Sequence, residues 1–120
     1  MSADVYRYDI VDGVAVFDLT EFEISGDTLL EEFFGTVQNV FVRPDVTASV
    51  FVLGDEGGIS KRFFQRFDFL VSRIEGYEIG RVALVGPSAK QVALRGRFRG
   101  TDVIVETPET PQEAMDWARA

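Results

Sequence analysis

The side chains that most often do chemistry near neutral pH are missing from this chain, which has no histidine and no cysteine. Without imidazole there is no general base titrating near neutrality by default, and without thiolate there is no sulfur nucleophile, zinc cage or disulfide. What remains is carboxylate, hydroxyl and guanidinium, gathered in three places. A glycine-rich stretch, Gly54-Asp55-Glu56-Gly57-Gly58-Ile59, runs into Ser60. Beyond it Arg62, Arg66 and Arg73, joined by Phe69, fall within about 40° of one another at helical spacing. Further on, Arg95, Arg97 and Arg99 form a second basic cluster around glycines.

Each group supports or excludes a definite chemistry. Glycines ahead of a helix can present N–H groups to phosphate, but a phosphate loop closes on Gly-Lys-Ser/Thr, and here the order is Ile59-Ser60-Lys61. Asp55 and Glu56 also sit where a phosphate would bring negative charge, which argues against nucleotide binding. The same two carboxylates lack an EF-hand pattern, and adjacent loop acids are ordinarily solvated, so no catalytic residue, metal ligand or cofactor-binding residue is assigned. Ser60 is placed to cap the orphan N–H groups of the helix that follows. The arginine stripe has two readings. It is a solvated helix face whose ion pairs contribute about 0 to 1 kcal/mol each, or it offers bidentate contacts to carboxylate or phosphate with Phe69 as an apolar anchor. The second reading implies an acidic partner protein or an amphiphile headgroup. The Arg95–Arg99 cluster reads as a mobile segment.

Charge and length narrow the partner classes. With 20 acidic against 12 basic residues the chain carries a formal charge of -8, a repulsive field for nucleic-acid phosphates and anionic lipid surfaces, so nucleic acid is not an expected partner. A chain of 120 residues is expected to form one domain over 1–120, burying roughly 65% of its unfolded surface without metals or disulfides. Asp4 stands where a signal peptide would carry cations, and no apolar run approaches the ~18 residues of a membrane span. A cytoplasmic protein that is not integral to a membrane is expected.

The elements that must position these groups follow from periodicity. Tyr6, Tyr8 and Ile10 alternate with Arg7 and Asp9 as in an edge strand, and Asp12-Gly13 suits a tight hairpin into the continuous apolar run Val14–Phe17. Leu29 to Phe41 recur at helical spacing behind a Thr28–Glu31 capping box, and Pro44 ends the pattern. Ala48–Leu53 reads as a strand buried on both faces. After Ser60, Phe63, Phe67, Leu70, Val71 and Ile74 form the strongest amphipathic stripe, closed by Gly76. A fourth strand follows at Val82–Val85. A short helix with Ala89, Val92 and Ala93 inward comes next, broken by Gly96, and then a fifth strand at Val103–Val105. Thr110-Pro111-Gln112-Glu113 opens a last helix with Ala114, Trp117 and Ala118 on one face. This alternation predicts an α/β fold: one mixed, mostly parallel five-stranded sheet with an N-terminal hairpin and four helices.

That order, the run Arg81-Val82-Ala83-Leu84-Val85-Gly86 and the ending Glu113-Ala114-Met115-Asp116-Trp117 resemble the SpoIIAA-like superfamily, which holds the STAS domains and bacterial relatives likened to CRAL-TRIO lipid-binding domains. The resemblance spans nearly the whole chain. It implies a non-enzymatic regulatory or protein-interaction module whose active surface lies around the loop after the third strand and the helix beyond it. Its alternative is a carrier or sensor of a lipid-like or other apolar anionic molecule, a role that the eleven phenylalanines could serve by lining a cavity of roughly 300 Å³ or more. The superfamily's Asp-Ser-Ser-Gly-type motif presents a serine to partner kinases. Here Ser60 is the candidate phosphoacceptor, and the paired hydroxyls and following glycine of that motif are absent. A homodimer is left open.

Overall fold

The computed structural model describes residues 7–20, 27–54 and 60–120, with residues 27–29 described as backbone. Tyr6, the Thr28 side chain of the capping box and the loop acids Asp55 and Glu56 therefore lie outside the described set. The elements follow the predicted order: β1 Arg7–Val11, β2 Val14–Leu19, α1 Asp27–Phe41, β3 Ala48–Leu53, α2 Lys61–Ser72, β4 Arg81–Val85, α3 Ser88–Arg95, β5 Ile104–Glu106 and α4 Pro111–Arg119. Asp12 and Gly13 turn the first hairpin with φ of 52° and 80°, the paired left-handed conformations of a two-residue loop whose twist matches the strands. The strands lie side by side in chain order, β1 antiparallel to β2 and the rest parallel. This is the mixed α/β sheet that the alternation of elements predicts.

The two faces of the sheet bury different side chains. Ala15, Phe17, Leu19, Phe51, Leu53 and Leu84 pack under α1, α2 and the α3 region. Val14, Ala48, Val50, Ala83 and Val85 pack under α4 through Ala114 and Ala118. On the first face, ring contacts run from Phe34 through Phe33, Phe17, Phe51 and Phe67 to Phe98, with centroids 5.0 to 6.1 Å apart. These spacings fall in the range of favourable stacked and edge-on pairs. Ser49, the buried polar core residue among those described, is satisfied because its hydroxyl donates to the Ala15 carbonyl at 3.0 Å.

Two local predictions require correction. α2 does not run to Gly76. Ser72 Oγ donates to the Phe69 carbonyl at 2.6 Å and Arg73 caps the helix, after which a 3₁₀ turn, Ile74–Gly76, carries the chain on. In α3, Val92 is 72% exposed and Leu94 is buried, so Ala89 and Val92 do not face the sheet. Long polar side chains set that helix's rotation: Lys90 Nζ donates to the Gly54 carbonyl and Gln91 Nε2 to the Leu84 carbonyl at 3.1 Å. Those bonds turn the Lys90–Gln91–Leu94 side toward the sheet. Gly96 begins a second 3₁₀ turn, Gly96–Phe98, which buries Phe98.

Candidate functional site

The loop after β3 leads into α2, whose outer face carries the arginine stripe. Gly54, directly after β3, lies so close to the neighbouring chain that a Cβ there would stand 2.4 Å from the Thr20 carbonyl oxygen. Only glycine permits that approach. Lys90 reaches the Gly54 carbonyl from the other side, so the start of the loop is held between the β2 exit and α3. At the loop's far end Ser60 adopts extended backbone and its hydroxyl accepts the Phe63 N–H at 3.1 Å, the geometry of an N-cap. The sheet has no reversal of strand order, and hence no topological switch point of the kind where open α/β sheets form ligand crevices.

The four stripe residues do meet on one surface. Phe69 is 44% exposed and lies between two guanidiniums, with Arg73 4.6 Å and Arg66 5.7 Å from its ring centre. Both distances are within cation–π range. Arg66 also pairs with Glu31 of α1 at 3.2 Å, and Arg62 reaches the same carboxylate at 3.8 Å. The pairs are half-exposed, so each contributes little to stability. The sequence pattern places Glu31 in a capping box with Thr28, not opposite these arginines. It sits on another helix, and helical periodicity within α2 carries no information about it. Arg73 has no ion pair among the described residues and is the stripe's free cation.

A shallow depression of about 10 Å³ opens beside this surface, lined by Phe34, Gln38, Arg66, Phe69, Leu70, Arg73 and Tyr77. The Nε of Arg66 is sealed from solvent there and finds no acceptor among the described residues. The second basic cluster is divided. Arg97 donates to Asp68 at 2.9 Å and lies 4.5 Å over the Phe64 ring, whereas Arg95 and Arg99 have no ion pair among the described residues.

The fold is SpoIIAA-like. Among solved structures the chain is similar to one from Shewanella loihica PV-4, described as an uncharacterized protein of the DUF3478 family with a SpoIIAA-like fold. The TM-score is 0.63 at 16% identity, over 98% of each chain. No family model matches the sequence, and no curated protein matches it. Among the described residues no helix is long and apolar enough to cross a membrane.

Proposed function

We propose that this chain is a non-enzymatic interaction module of the STAS-like type that docks an acidic protein partner on the outer face of α2, beside the loop after β3. The observation that carries this reading is the Arg66–Phe69–Arg73 arrangement: an exposed ring with two guanidiniums over it, one of which, Arg73, has no ion pair among the described residues. Arginine beside an aromatic anchor is the composition of interface hot spots. On a chain of formal charge -8, a local basic surface also gives an acidic partner a favourable approach. The contiguous ring packing of the core supports a solid scaffold over the alternative of an amphiphile carrier. Ser60 reads as a structural cap in this scheme, its hydroxyl accepting the Phe63 N–H.

The test uses Phe69→Ala combined with Arg73→Glu, both at exposed positions. Arg62 and Arg66 are less suitable, because reversing them would crowd two new carboxylates around Glu31. The wild type and the double variant serve as bait in matched pull-downs from host extract, their folding compared by Trp117 fluorescence. A partner recovered by the wild type should be lost by the variant and should be released by added salt. Equal recovery of that partner by both would reduce the stripe to a solvated helix face.

A further inference from the structure

The last strand leaves one side of the sheet open. Among the described residues β5 pairs only with β4, and Ile104 donates its N–H to the Gly80 carbonyl at 3.0 Å. Because successive backbone groups in a strand point to opposite sides, the N–H and C=O of Val105 face outward, away from β4. Beside that edge lies an open groove of about 530 Å³, lined by Val92, Arg95, Phe98, Arg99, Val103 and Val105. Val92, Phe98, Val103 and Val105 give it an apolar lining, no described carboxylate lines it, and its charged groups are the guanidiniums of Arg95 and Arg99. On the opposite side of the same strand Ile104 is 56% exposed. Unpaired edges are ordinarily blunted by charge, proline or short length. Here the strand is three residues long and Pro108 follows it closely, which limits pairing to a short segment and guards against indefinite stacking.

We propose that the open side of β5 is a docking edge for an extended acidic segment of a partner protein, which adds to the sheet as a further strand. Main-chain bonds to Val105 fix its register. Its alternate side chains fall on the two faces of the strand, one set into the groove over Phe98 and the other beside Ile104. Its carboxylates meet Arg95 and Arg99, two cations with no ion pair among the described residues, on a chain of net negative charge. A small amphiphile would use the groove and the guanidiniums, but it would leave the strand edge and Ile104 unused. A second copy of this chain would bring its own charge of -8 against this one. The observations therefore favour a peptide segment of another protein.

The experiment titrates the isotope-labelled full chain with acetyl-Glu-Glu-Val-Ile-Val-Glu-Glu-amide and follows backbone amides by NMR. Binding should shift the amides of Val103–Glu106 and Gly96–Thr101 and slow exchange at Val105. The same peptide N-methylated at its three central residues keeps charge and side chains and should not bind. Arg95→Glu with Arg99→Glu should weaken binding at least about tenfold, while Phe69→Ala with Arg73→Glu should leave it unchanged, separating this edge from the α2 surface. Equal binding of the N-methylated peptide overturns strand addition. So do shifts confined to α2, displacement of the peptide by decanoate at the same amides, and a chain that sediments alone as a dimer with Val105 already protected.

Discussion

The sheet's two faces reach the same end by opposite means. Under α1 and α2 the sheet presents Phe17, Phe51 and Leu84 to Phe33 and Phe67, and large rings fill a wide interval between layers. Under α4 it presents Ala48 and Ala83 to Ala114 and Ala118, and the helix lies close. α4 is held at its far end by Arg81, whose Nη1 donates to the carbonyls of Trp117 and Ala120 at 2.8 and 2.7 Å and whose guanidinium lies 5.4 Å from the centre of the Trp117 ring. The difference teaches where new contacts can be carried. Both basic surfaces and the β5 groove lie on the aromatic side of the sheet.

The comparison breaks most directly at the centre of the aromatic face. Phe67→Ala removes a ring that is 1% exposed and touches Phe51, Phe63 and Phe98, so a loss of about 3 to 5 kcal/mol is expected in a denaturant melt. On the alanine face the vulnerability is the reverse. Ala114→Leu forces methylenes into a fully packed contact and should cost about 1 to 3 kcal/mol. A larger loss from Ala114→Leu than from Phe67→Ala would mean that α4, and not the aromatic layer, dominates stability. The smallest effect separates helix anchoring from core filling: Ser60→Ala should cost about 0.5 to 2 kcal/mol through the lost bond to the Phe63 N–H. A silent substitution in the same melt would show that α2 is set by its rings alone.

Much of this arrangement was legible because it is local. The Asp12-Gly13 turn, the continuous apolar β3 and the Ser60 and Thr110 caps are properties of neighbouring residues, and the structure places each as expected, Thr110 Oγ1 accepting the Glu113 N–H at 3.1 Å. The stripe of α2 was legible for the same reason, since periodicity alone puts Arg66, Phe69 and Arg73 together. What escaped depends on distant partners. The rotation of α3 is decided by Lys90 and Gln91 reaching carbonyls of Gly54 and Leu84, against a helix pattern too short to choose a face. The sharing of Glu31 by two arginines and the groove between the α3 end and β5 exist only once separate elements are assembled.

The strand order also bears on how the chain reaches this state. Because the five strands stand in sequence order, each new strand meets a neighbour already in place, and the loops to be closed are the shortest the chain offers. A nascent chain emerging from its N-terminal end can thus add hairpin, helix and strand in turn. α4 alone folds back across strands laid down much earlier, against Val14, Val50 and Ala83. The alanine face stays open until that helix arrives, and contacts made so late resist unfolding without hastening assembly.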